Sequence, residues 1–466
     1  MRFKKLVAAV SGAVFLMAGQ LALADSTNDL VDALVSKGVL TEEEGKLLTK
    51  GHQGEMDGVK KKEKSYAKGS FNFRGYTQFR NTPIVDGDRD GGINLWSDRS
   101  VGNDTSLGDA DKNFLIRRMR MIFYGDVGDR LYYYIQPDIA STLGGTGNGA
   151  QLRDAYGDIY LTKNKVHRLR AGLSKIPYGF ENMQSSQNRL ALDRVDAMNS
   201  SVRDERDTGL FYYYTPENVQ ALFKEIQDGG LKHSGNYGMF ALGAYTGQGA
   251  NRPDQNDNYH VVSRFTYPWK TESGQIFETG IQAYKGTFVS TTGNYNRNGS
   301  RASSSTFGAT NAPTLRTASG IADERVGLSF MMYPQPWGLE AEWNWGKTPG
   351  LDVATNIIDE RNLNGGYVQT MYKIDNFKFF ETNGTLIPFL KWQYFDGYNK
   401  AETNSPRNQV NDWELGFEWQ IAPEVELVAE YHRMNRNNLV TGNRAGRPDY
   451  ERFQADALRL QLQWNY

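Results

Sequence analysis

The sequence predicts an all-β fold: a sixteen-stranded antiparallel transmembrane β-barrel with a short N-terminal helical segment. Three observations predict it. From Gly69 to the end, apolar and polar residues alternate in segments of about ten, the period of strands with one greasy face. The connections between these segments tend to alternate short and long, the asymmetry of an outer-membrane barrel. The chain also opens on a secretion signal pattern.

Arg2, Lys4 and Lys5 precede an apolar run from Leu6 to about Leu21, and Ala22-Leu23-Ala24 is an A-x-A cleavage site. Residues 1–24 are therefore expected to be removed before Asp25. Losing three positive charges from a chain of net charge −1 leaves −4. No later run of 18 apolar residues reads as a transmembrane helix. Near-neutral charge excludes a global basic field, so no nucleic-acid partner is expected. The absence of Cys excludes disulfides, thiolate metal sites, thiol catalysis and covalent c-type haem.

Residues 25–66 read as a periplasmic helical segment and linker. Leu30, Leu34 and Val35 share a helix face, Gly38 breaks the run, and Thr41 with Glu44 fits a capping box. The Lys cluster at 60–64 reads as a solvated tether. The barrel is assigned to 67–466.

Its sixteen segments lie near 69–80, 113–125, 129–139, 153–163, 166–175, 207–215, 237–247, 258–268, 276–288, 323–333, 337–347, 365–374, 385–396, 411–420, 424–434 and 455–466. In 412–420, Trp413, Leu415, Phe417 and Trp419 oppose Glu414, Glu418 and Gln420. In the last segment Leu458, Leu460, Leu462, Trp464 and Tyr466 share a face, and the terminal aromatic resembles a signal for barrel-assembly machinery. A helix is expected over 216–232, with Pro216 at N1 and a close on Gly229-Gly230. Long loops are expected at 81–112, 140–152, 289–322, 348–364, 397–410 and 435–454, and tight turns at 125–129, 163–165, 333–337 and 421–424. Sixteen greasy faces cannot share one soluble core while the opposite faces carry charge. In lipid, a closed barrel satisfies every backbone group and leaves an aqueous lumen.

The stretches FLIRRMRMIFYGDVGDRLYYYIQPDI, RDAYGDIYL and RLRAGLSKIPYGFEN resemble the phosphate-selective porin O and P family. The resemblance rests on an Arg-rich second strand, a D-A-Y strand and a G-x-x-K-x-P-[FY]-G segment. It implies a homotrimeric porin of a Gram-negative outer membrane, in contact with lipid and lipopolysaccharide. It also implies a third long loop, 176–206 by the strand count, folded into the lumen as a constriction. Small inorganic or organic ions, phosphate among them, are the solutes implied. The family's Arg ladder is matched at Arg118 and Arg120 and its G-x-x-K-x-P Lys at Lys175. No Lys cluster within 176–206 matches a dedicated phosphate site.

Alternation assigns the lumen face. Arg74, Arg80, Arg118, Arg120, Arg168, Arg170 and Arg459 form one basic wall, an anion track partly offset by Asp154 and Asp158. Glu278, Glu340, Glu342, Glu414, Glu418, Glu426 and Glu430 form an acidic wall opposite. The loop carries Lys175, Arg189, Arg194, Arg203 and Arg206 against Glu181, Asp193, Asp196, Asp204 and Glu205. Either these charges pin the loop to both walls, or unpaired Arg line a constriction for anions.

The expected function is passive diffusion of small hydrophilic solutes, with an anion or phosphate preference left open. A non-selective or cation-preferring barrel, or a sheath for a periplasmic electron-transfer partner, is the alternative. No enzymatic motif, cofactor or metal site is read from the sequence. His52, His167, His233, His260 and His432 show no ligand spacing, and DGDRDGG at 86–92 lacks the full calcium-loop pattern.

Overall fold

The computed structural model describes residues 26–51, 69–88, 114–140, 149–293, 312–441 and 448–466. The signal segment, the Lys cluster at 60–64 and residues 89–92 of the DGDRDGG stretch lie outside them. The chain divides into two units, Met1–Lys68 and Gly69–Tyr466.

In the first unit, α1 (Ser26–Ser36) and α2 (42–51) flank a turn at Gly38, where φ is +70°. The capping box forms: the Thr41 N–H donates to Glu44 Oε2 at 2.9 Å, and the Glu44 N–H donates to Thr41 Oγ1 at 3.3 Å. The Thr41 backbone and hydroxyl hydrogen bonds hold the Glu44 carboxyl below its usual range.

The second unit is a closed barrel. Its strands are β1 (Asn72–Asn81), β2 (Phe114–Val127), β3 (Leu131–Ala140), β4 (Gly149–Tyr160), β5 (His167–Lys175), β6 (Arg206–Tyr214), β7 (Phe240–Tyr245) and β8 (His260–Lys270). They continue as β9 (Ile276–Phe288), β10 (Ile321–Met332), β11 (Trp337–Asp352), β12 (Ile357–Tyr372), β13 (Thr382–Tyr398), β14 (Arg407–Ala422), β15 (Val425–Thr441) and β16 (Pro448–Asn465). Each pairs antiparallel with the next, and β1 closes on β16 from Tyr76↔Asn465 to Asn81↔Leu460. Three shorter segments join the sheet. Ile84–Gly87 pairs with β16, Thr314–Leu315 pairs with β12, and Ile374–Phe379 forms a hairpin with β13.

The faces follow the pleat. On β14, Trp413, Leu415 and Phe417 are exposed while Asp412, Glu414 and Glu418 are buried. On β16, Leu458, Leu460, Leu462 and Trp464 point out, while Arg459, Gln461 and Gln463 are buried. Rings pair along the outer surface, as in Trp269–Phe277 (centroids 5.3 Å apart) and Trp343–Tyr394 (5.9 Å). In lipid such a surface is solvated; in water it would aggregate.

The later strands are longer than the alternation indicates. Residues 348–364 were expected to be loop, but β11 and β12 stay paired up to Asp352↔Ile357. The loop after β13 likewise shrinks to 399–406, and β15 runs on to Thr441. The reason is that alternation reports the lipid band, whereas backbone pairing continues past it. Beyond the band the ladder is held by cross-strand ion pairs, Lys347–Glu360 at 2.7 Å and Arg361–Asp352 at 2.8 Å, together with a buried apolar cluster of Ile321, Leu351 and Ile358.

Candidate functional site: the lumen and its loop

The connection between β5 and β6 does not extend outward. It folds across the lumen as two short helices, α3 (Phe180–Met183) and α4 (Asp196–Asn199), and a 3-10 turn at Arg203–Glu205. Most of it is buried. The Asn182 side-chain amide ties the helices together by donating to the Met198 carbonyl and Ser201 Oγ, both at 3.0 Å. Lys175 Nζ donates to the carbonyls of Asn182, Met183 and Gln184 at 3.0, 3.2 and 2.6 Å, satisfying the end of α3.

Apolar residues seat the loop on the far wall. Leu190, Ala191 and Leu192 pack with Met371, Ile387, Phe389 and Val428. Val195, Ala197 and Met198 pack with Leu363, Tyr367, Phe395 and Val410. The strict polar-in reading missed these inward-facing apolar side chains on β12–β15. The run Leu386-Ile387-Pro388-Phe389-Leu390, greasy on both faces, was the signal that marked them.

The charges of the two walls are largely engaged with the loop or with each other. Arg80, Arg118 and Arg459 converge on Asp193, with Arg80 Nη1 at 2.6 Å and Arg118 Nη2 at 3.5 Å. Arg120 Nε meets Asp138 at 2.9 Å. Arg170 Nε and Arg168 Nη1 share Asp158 at 2.7 and 3.3 Å. In the loop, Glu205 receives Arg194 Nε at 3.2 Å, Arg189 at 3.9 Å and Arg206, which also meets Asp154 at 3.0 Å. Arg203 Nη1 donates to the Ala401 carbonyl at 3.0 Å.

On the opposite wall, carboxylates hold loop backbone. Glu342 accepts from the Phe180 and Glu181 N–H groups at 2.6 and 2.8 Å, and Glu430 accepts from the Leu192 N–H at 2.9 Å. Glu340 accepts the Tyr367 hydroxyl at 2.6 Å, Glu414 accepts from Gln393 Nε2 at 2.9 Å, and Glu278 pairs with Arg264 at 2.8 Å. Glu418 and Glu426 are buried, and Glu418 meets Lys232. This wall also holds cations absent from the sequence-predicted acidic wall. Arg325 donates to the Ala197 and Ser200 carbonyls at 2.9 Å each, Lys391 meets Glu181, and Arg436 meets Asp196 and Asp412. Their inward parity on alternating strands could have revealed them.

Arg74 stands apart. It is exposed, and among the described residues it makes no ion pair; its guanidinium carbon lies 5.8 Å from the Tyr124 ring centre.

Two cavities open beside the loop. One, about 350 Å³, lies against β1–β5 and is lined by Arg74, Arg168, Arg170 and Lys175 together with Tyr132 and Tyr156. Arg120, Arg206, Asp154 and Asp158 complete its charged lining. The other, about 550 Å³, is lined on its far side by Asp375, Gln420 and Glu426. Gln187, Asn188, Gln227 and His233 stand between them and line both. Burial, reinforced by Lys232 and Arg74, pushes the His233 imidazole down to about 4, so it adds no charge near neutrality. The segment carrying His233 follows α5 (Glu217–Asp228), where Pro216, expected at N1, is the N-cap and the helix begins one residue later. Its end is a Schellman motif: Leu231 N–H donates to the Ile226 carbonyl at 3.2 Å and Gly230 N–H to that of Gln227 at 3.1 Å.

Among solved structures, the chain is similar to OmpF of Salmonella typhi in complex with daunomycin. Identity is 11%, covering 85% of this chain and 97% of that one, with a TM-score of 0.49. It is similar to an anion-selective porin from Comamonas acidovorans at 11% identity, with coverage of 86% and 100% and a TM-score of 0.49. It is also similar to in-vitro folded OmpT of Vibrio cholerae at 9% identity, with coverage of 85% and 98% and a TM-score of 0.48. No curated protein matches by sequence. The family model for phosphate-selective porin O and P, by contrast, matches residues 91–466. With a closed sixteen-stranded barrel and a lumen crossed by its third long connection, the chain belongs to the phosphate-selective porin O and P family and is an outer-membrane porin of a Gram-negative bacterium.

Proposed function

We propose that this porin passes small hydrophilic solutes by diffusion, prefers anions, and admits phosphate. One observation carries the reading: the charge lining of the 350 Å³ cavity. Arg120 and Arg206 are answered by Asp138 and by Glu205 and Asp154. The surplus rests with Arg74, with Lys175, which binds carbonyls, and with Arg168 and Arg170, which share one carboxylate. A cleft with low-dielectric walls and one sign of charge concentrates counter-ions. The loop 176–206 is the constriction in this reading, and exposed Arg74 with partly buried Arg168 is the end of the anion track. No catalytic activity is proposed.

Three further proposals accompany it. Residues 1–24 are a secretion signal, residues 25–66 stand in the periplasm, and the barrel works as a homotrimer. N-terminal sequencing of the mature protein and chemical cross-linking in micelles test the first and last.

Planar-bilayer recording tests the main reading. Reversal potentials in a KCl gradient should show anion preference, and added phosphate should reduce the chloride current. Arg74→Glu should shift the reversal potential toward cations while the barrel stays folded. Absence of conductance from folded protein overturns the channel reading. Cation preference in the unmodified protein overturns the anion reading.

A further inference from the structure

We propose that Glu414, Glu430 and His432 form a binding site for a divalent transition-metal ion of the zinc class, set into the lumen wall. The strand register builds it. Glu414 on β14 lies directly opposite His432 on β15, and Glu430 is two residues before His432 on the same face. One ligand atom from each lies within 4.8 Å of the others, and all three side chains are buried. Sequence spacing could not reveal this set, because Glu414 joins it only through strand pairing.

A second observation is independent of the clustering. His432 is 1% exposed, and its Nδ1 has no hydrogen-bond partner. A buried ring nitrogen left in that state is costly unless something fills the gap. Its other nitrogen, Nε2, lies 3.0 Å from Asp412 Oδ2. Asp412 is fixed in turn by Arg436 Nε at 2.9 Å and the Asn435 N–H at 2.8 Å. A carboxylate that accepts the Nε2 proton leaves a lone pair on Nδ1, the arrangement that orients metal-binding imidazoles.

That lone pair faces Glu430, with Nδ1 at 3.7 Å from Oε1. The separation is too long for a hydrogen bond. Two ligands each about 2.1 Å from a tetrahedral ion sit roughly 3.4 Å apart, so this pair needs only a small contraction, and the set of three, now within 4.8 Å, closes around an ion by side-chain movement of about 1 Å. Gln393 Nε2 holds Glu414 at 2.9 Å. Arg459 Nη1 meets Glu430 at 2.8 Å and offsets one of the two carboxylate charges, and a cation would balance the other. Ala457 pairs with His432 from the other side and adds no bulk. One imidazole nitrogen with two carboxylate oxygens suits zinc, nickel or copper, whereas magnesium takes oxygen ligands alone.

Calorimetry on the folded, metal-stripped porin in detergent micelles tests this, with zinc chloride and magnesium chloride as titrants. One equivalent of zinc should bind in the unmodified protein, with magnesium at least tenfold weaker. His432→Gln should abolish that binding, and Glu414→Gln should weaken it at least tenfold. Heat-modifiable gel mobility verifies folding of each variant. If His432→Gln does not fold, Glu414→Gln decides. No zinc binding in the unmodified protein, unchanged binding in either folded variant, or equal binding of magnesium overturns the site.

Discussion

Asp193 illustrates how much one side chain can hold in this lumen. It is 4% exposed and receives Arg80, Arg118 and Arg459 from β1, β2 and β16. Removing one partner of a buried charge network leaves the other charges uncompensated, at a cost of about 3–5 kcal/mol. Asp193→Ala should therefore lower the unfolding midpoint in micelles and raise single-channel conductance as the loop loosens. Unchanged conductance and an unchanged midpoint would refute the role given to Asp193. The inward placement of these Arg was legible from alternation alone. Their partner was not, because Asp193 lies 113 residues from Arg80 and 266 from Arg459, with no local pattern linking them.

Among the elements, β5 and the end of α5 each depend on a glycine, for different reasons. Gly172 on β5 has φ +124°, and a Cβ there would sit 2.3 Å from the Ala155 carbonyl oxygen of β4. Gly230 has φ +62° with nothing within 4 Å of the added carbon. Gly230→Ala should therefore cost only the left-handed backbone penalty, about 1 kcal/mol. Gly172→Ala should cost several times more, because backbone must move. Comparing unfolding midpoints of the two variants checks this; equal losses would contradict it. Strand existence was read well from sequence, and strand ends were not. Alternation stops where lipid stops, whereas the ladder between β11 and β12 continues to Asp352↔Ile357. The helix expected over 216–232 forms over Glu217–Asp228, legible because Pro and paired Gly punctuate both ends.

At the scale of the whole molecule, the barrel and its loop are separable in pairing but not in packing. No loop residue between Ile176 and Glu205 takes part in the strand ladders. Deleting residues 185–200 should leave a closed barrel whose conductance rises severalfold. A deletion protein with unchanged conductance would show that the loop does not set the width. The opposed walls were legible as sums of charge, but the field they produce was not. Arg325, Lys391 and Arg436 stand among the acids, while Asp138, Asp154 and Asp158 stand among the bases. What survives this pairing is local, at Arg74 and its cavity.

The hydrogen bonds that hold the loop also set an order of events during assembly. Leu192 waits for Glu430, 238 residues later, and Asp196 for Arg436, 240 residues later. Until those C-terminal strands arrive, the seat begun on β12 and β13 lacks Val428 and the polar anchors of β15. Contacts of such long sequence separation form late, because loop-closure entropy must be overcome first. The nascent porin therefore passes through a stage with its lumen loop only partly seated. That stage ends when β15 takes its place in the sheet and presents Glu430 and Arg436 to the loop.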